Sequence, residues 1–96
     1  MRPRKTKDVE RVLLQKGFEL HPQKRHHRFF FLVVDGKKEA VQTYLSHGEK
    51  ECNDYLMGKI KNQLRFPAAE QAEDFFDCPM SGDDYAKLLA EIGVLK

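Results

Sequence analysis

Lys24-Arg25-His26-His27-Arg28-Phe29-Phe30-Phe31, continued by Leu32-Val33-Val34 and closed by Asp35-Gly36, is the stretch on which the fold turns. From Phe29 to Val34 six apolar residues follow one another, five of them aromatic or β-branched. A run of that length suits a buried strand and falls short of a helix. Asp-Gly after such a run is a strong hairpin signal, and Glu39–Leu45 beyond it alternates Val41, Thr43 and Leu45 with Ala40, Gln42 and Tyr44, so a second strand returns along the first. Upstream, Phe18-Glu19-Leu20 alternates as a short strand that His21-Pro22 breaks. The three make an antiparallel meander.

Helices flank this sheet. Val9, Val12 and Leu13 share a face, Asp8 and Glu10 lie in a first turn and Gly17 stops the pattern, which predicts a helix over about 6–16. Cys52, Leu56, Ile60 and Leu64 recur every fourth residue and predict a second helix over about 50–64, with Lys59, Lys61, Asn62 and Gln63 on its polar side. The fold class expected is α+β: an α-β-β-β-α unit with a three-stranded antiparallel sheet packed by two helices. Past Arg65-Phe66-Pro67 a C-terminal helical extension follows, with Pro67 in the first turn of a short helix and Ser81 and Asp84 as a capping box for a last one. Phe75, Phe76, Tyr85, Leu88, Leu89 and Ile92 are too many apolar groups for a free tail. They are expected to close over a patch on the sheet or the second helix.

Ninety-six residues suit one domain with one modest core. No apolar run approaches the roughly 20 residues of a membrane helix, and no signal-peptide apolar region follows the basic start; a cytoplasmic location without membrane association is expected. Cys52 and Cys78 lack the spacing of a zinc or redox motif and read as reduced, structural residues. The four histidines carry no metal-ligand spacing either, so neither a metal nor a cofactor is expected. The net charge of +2 conceals an asymmetry: residues 1–64 hold 14 Lys and Arg against 8 Asp and Glu, residues 65–96 hold 3 against 7. A basic body favours phosphate backbones. Its opening arm, Arg2-Pro3-Arg4-Lys5, is expected to be mobile.

His26 and His27 sit where cations meet the central strand. An imidazole titrates near neutral pH, and Lys24, Arg25 and Arg28 supply a neighbourhood that attracts anions. Successive residues of an extended chain point to opposite sides, so the two histidines are not expected to work as an acid and base pair.

Lys7-Asp8-Val9, Gly17-Phe18 at the exit of the first helix, His27-Arg28-Phe29-Phe30, Asp35-Gly36, and the helix after His47-Gly48 together resemble the HicA toxin family over about residues 5–64. HicA proteins are small mRNA interferases with a double-stranded-RNA-binding-domain-like fold. The resemblance implies an endoribonuclease of a toxin-antitoxin pair, acting on mRNA and restrained by a HicB-type antitoxin, with one histidine near the start of the middle strand carrying the chemistry. By position that residue is His27. The chain has Arg25-His26 where the family has small residues before its histidine.

The chemistry fits one histidine. RNA carries its own nucleophile, the 2′-hydroxyl, so cleavage needs a proton moved and phosphorane charge balanced. Lys24, Arg25, His26, Arg28, Lys59 and Lys61 are the candidate RNA contacts and His27 the candidate catalytic group. Two other readings stand beside this one: a non-catalytic RNA-binding module of the same fold, and a protein-interaction domain acting through the acidic C-terminal helices.

Overall fold

The computed structural model describes residues 1–22, 27–46, 48–77 and 79–95. The architecture is α+β. The chain runs β1 (Arg4–Lys5), α1 (Thr6–Gln15), β2 (Phe18–Pro22), β3 (His27–Val34), β4 (Lys37–Ser46), β5 (Glu51–Cys52), α2 (Asp54–Gln63), α3 (Ala69–Phe76) and α4 (Gly82–Glu91). The main sheet is antiparallel with strand order β2-β3-β4.

Asp35 and Gly36 both adopt positive φ, 52° and 78°, as the two central residues of the hairpin that pairs Val34 with Lys37. An uninterrupted hairpin would then set Gln42 opposite Phe29. An irregularity between Phe31 and Val33 advances the pairing by two residues, so that Tyr44 faces Phe29 and Ser46 faces His27. An even shift keeps every side chain on its own face. Phe30, Leu32, Val41, Thr43 and Leu45 are buried on one side of the sheet, while Phe29, Phe31, Val33 and Tyr44 on the other are half-buried.

The buried face packs against Val9, Val12 and Leu13 of α1 and Met57 and Ile60 of α2. Gly17, at φ 105°, makes the turn from α1 into β2, and its carbonyl accepts from the Val33 N–H at 2.9 Å. The pattern expected to open the second helix near residue 50 is instead split. Glu51-Cys52 pairs antiparallel with Arg4-Lys5 as a two-stranded sheet, and Asn53 caps α2 by accepting from the Leu56 N–H at 2.9 Å. The basic arm is therefore anchored rather than mobile: Arg4 bridges to Glu73 at 2.6 Å and to Asp77 at 3.0 Å, and Arg2 joins Asp77 at 2.5 Å. The opposite charges of the two halves of the chain meet each other here.

The extension belongs to the same core. Phe75 and Tyr85, both fully buried, stack with Phe18 and Phe66 at centroid distances of 4.9–6.4 Å. The patch they close lies at the end of α1, the start of β2 and the end of α2. The Tyr85 hydroxyl donates to the Leu64 carbonyl at 2.7 Å, and burial pushes its pKa far above the ordinary phenol value. Lys16, also buried, donates its ammonium to the Phe75 carbonyl at the end of α3, where the helix dipole favours a cation. Gly82 lets α4 approach α1 closely, since a Cβ there would lie 3.3 Å from the Lys16 backbone. Two expectations shift in detail: Pro67 precedes the α3 N-cap Ala68 instead of lying in the first turn, and Ile92, just past α4, is exposed.

Ser81 and Asp84 form the expected capping box, the Asp84 N–H donating to Ser81 Oγ at 3.0 Å and the Ser81 N–H to the Asp84 carboxylate at 3.2 Å. That backbone hydrogen bond holds the Asp84 carboxyl below its ordinary pKa. Its support for α4 is present at neutral pH and lost as the medium becomes acid enough to protonate the carboxylate. Ser81→Ala is expected to cost about 1 kcal/mol, seen as a lower urea midpoint with unchanged slope; an unchanged midpoint would show the cap to be idle. No helix among the described residues is long and apolar enough to cross a membrane.

Candidate functional site

His27 is the first residue of β3, and its ring is held in place by aromatic neighbours. The Tyr44 ring meets it edge-on at 4.8 Å, Phe29 lies 6.3 Å away, and Phe29 and Tyr44 are themselves 5.6 Å apart, so the three rings close a triangle on the outer sheet face. A second pair, His21 and Phe31 at 4.8 Å, continues the aromatic surface, with the Lys38 ammonium 3.9 Å from the Phe31 centroid.

Beside the triangle, where β4 meets α2, His27 lines a cleft of about 170 Å³ with Tyr44, Ser46, Glu49 and Lys59. Pockets that engulf small molecules run to roughly 300–1,000 Å³. The cleft is too small for a whole nucleotide. Lys59 reaches its rim over aromatic surface, its ammonium 5.9 Å from the Tyr44 centroid and 5.7 Å from that of Tyr55. Thr6 and Cys52 lie deeper, their Oγ and Sγ 3.7 Å apart. Burial pushes the Cys52 thiol above its ordinary pKa, the Thr6 contact opposes this, and Glu49 and Glu51 add to the rise. Such a thiol stays protonated at neutral pH and is no nucleophile.

The remaining candidates separate. Arg28 follows His27 on an extended strand and faces the other side, where its guanidinium pairs with Glu10 of α1 at 2.5 Å. It does not line the cleft itself but a neighbouring groove that shares Thr6 and Glu49 with it, and its charge is balanced by Glu10. Lys61 is two residues from Lys59, a turn of about 200° around the helix axis, and lines neither the cleft nor the groove beside it. Lys24, Arg25 and His26 lie outside the described residues, as do His47 and Cys78. Of the charges named from the sequence, the described structure brings Lys59 to His27.

A scan against protein-family models, a search of curated proteins and a search of solved structures each found no match.

Sequence reasoning missed Tyr44, Ser46 and Glu49. Their positions depend on the two-residue shift of register between β3 and β4, and no residue in that stretch announces it. It missed Arg65 as well. Among the described residues, no three His, Cys, Asp or Glu side chains are grouped to hold a metal ion. The carboxylates of the acidic extension are partly engaged within the chain, Glu73 and Asp77 holding Arg4.

Proposed function

We propose that this protein is a cytoplasmic, metal-independent endoribonuclease in which His27 moves the proton that RNA cleavage requires. The observation that carries this reading is the placement of a half-buried imidazole and a lysine ammonium on one small cleft, which Glu49 also lines, with an aromatic surface alongside. In the proposed reaction the 2′-oxygen attacks the adjacent phosphorus as His27 takes its proton. The bond from phosphorus to the 5′-oxygen breaks, and that oxygen is protonated from solvent. The products are a 2′,3′-cyclic phosphate and a 5′-hydroxyl.

Lys59 balances the charge that builds on the phosphorane oxygens. Lys24 and Arg25, just before His27 in the chain, add to the attraction for RNA. A single positioned histidine contributes about 10²–10⁴-fold, a modest rate that suits a growth-arresting toxin. The resemblance to HicA proteins supports mRNA as the substrate and a HicB-type antitoxin as the partner that restrains it.

Incubating the purified protein with an end-labelled, unstructured mRNA fragment in EDTA is expected to yield fragments with 5′-hydroxyl ends. Retention of the RNA in a gel shift without cleavage would replace this reading with a non-catalytic RNA-binding module. Neither cleavage nor retention would leave the acidic helices as the working surface.

A further inference from the structure

Next to the cleft, and sharing Tyr44 and Gln63 with it, is a larger groove of about 460 Å³ between the outer sheet face and the end of α2. Phe29 and Tyr44 form one wall. Gln42, Asn62, Gln63 and Arg65 bring amides and a guanidinium, and among the described residues no carboxylate lines it. The buried Thr43 hydroxyl donates to Gln63 Oε1 at 2.5 Å, which anchors that amide and leaves its N–H groups to donate elsewhere.

Arg65 carries a second, independent sign. It follows the last turn of α2 at φ 68°, its N–H donating to the Asn62 carbonyl at 3.1 Å while the Phe66 N–H donates to Lys61 at 3.1 Å. This is the helix stop in which glycine is the usual residue, because a Cβ is strained at positive φ. Arg65 thus places a cation at a position that favours glycine, on the rim of a groove with aromatic and amide walls, and strained backbone of this kind clusters at ligand sites.

Resting on the cleavage reading above, we propose that this groove seats an unpaired nucleotide next to the scissile phosphate, so that the substrate is single-stranded RNA. The base stacks on Phe29 and Tyr44, the Gln42 and Asn62 amides meet its edge, and Arg65 pairs with its phosphate. A duplex presents its bases already stacked on one another and cannot offer a free face to the rings.

The probe is a fluorescein-labelled, 2′-O-methyl single strand of eight nucleotides, which lacks the nucleophile and so reports binding alone, compared with the same strand annealed to its complement. The single strand is expected to bind at least about tenfold more tightly than the duplex, and Phe29→Ala to lose about tenfold of that affinity. Arg65→Gly, which relieves the strain and so melts no lower than the parent, is expected to bind more weakly and to flatten the salt dependence by about 0.7 in log-log slope, the value for one phosphate on a single strand. Equal or tighter duplex binding, or an Arg65→Gly protein with unchanged affinity and salt slope, overturns the proposal. So does a dimer in sedimentation that Phe29→Ala dissociates, since the groove would then hold a second copy of the chain. Cleavage of ordinary RNA that ignores Phe29 and Arg65 defeats this inference and leaves the nuclease reading intact; groove-dependent binding of the methylated strand without cleavage of ordinary RNA does the reverse.

Discussion

His27→Ala is expected to lower RNA cleavage by about 10²–10⁴-fold, the contribution of one positioned proton-transfer group, while leaving the fold in place. The ring is half-buried at the first position of a strand, and its contacts are the edges of Tyr44 and Phe29 rather than the interior under the helices. Removing it takes little from the core, whose neighbouring members Phe30, Leu32 and Leu45 remain buried on the other face. A melting temperature close to the parent's, together with unchanged affinity for the 2′-O-methyl strand, would separate lost chemistry from lost binding. Lys59→Ala is the companion variant. With its ammonium on the same cleft, it is expected to reduce cleavage while His27 is still in place. A stable His27→Ala protein that cleaves at the parent's rate would end the assignment.

Removing the chain beyond Leu64 is expected to abolish folding. The loss takes Phe66, Ala72, Phe75, Phe76, Tyr85 and Leu89 out of the core and uncovers Phe18 and Leu64. Fully burying each large apolar side chain contributes about 1.5–3 kcal/mol, and a whole domain has a net stability of about 5–15 kcal/mol. The buried Lys16 ammonium would also lose the Phe75 carbonyl, and Arg4 its two carboxylates. A single substitution tests the same packing more gently. Phe75→Ala leaves a cavity among Phe18, Phe66, Phe76 and Tyr85 and is expected to cost about 3–5 kcal/mol, measured as a lower urea midpoint. A soluble 1–64 fragment with a cooperative unfolding transition would show the extension to be an independent appendage.

The acidic extension illustrates how charge can mislead when read along a chain. Four negative charges in excess over residues 65–96 suggest a surface for a partner, yet Glu73 and Asp77 are spent on Arg4 and Arg2, seventy residues away in sequence. The same pairing turns an arm expected to be mobile into an edge of the small sheet. Arg28 teaches the same lesson. Its neighbour in sequence is His27, but its neighbour in space is Glu10.

What the sequence determined by itself is what local chemistry controls. The Phe29–Val34 run makes a strand because β-branched and aromatic side chains fit a pleated surface. Asp35-Gly36 makes the hairpin because its two residues accept positive φ, and Ser81 with Asp84 starts the last helix because their side chains satisfy its free N–H groups. His27 was legible as a chemical candidate for the same reason: an imidazole among cations is a local feature. The tertiary structure alone decided what surrounds it. Tyr44 and Ser46 reach His27 through a shift of register that no single residue encodes, Lys59 arrives from a helix that comes later in the chain, and Arg65 reaches the groove only because α2 ends there. Those placements follow from burying one face of the sheet under α1 and α2. That burial gives its free energy to the whole core at once, so it selects which distant residues meet without leaving a mark on any of them.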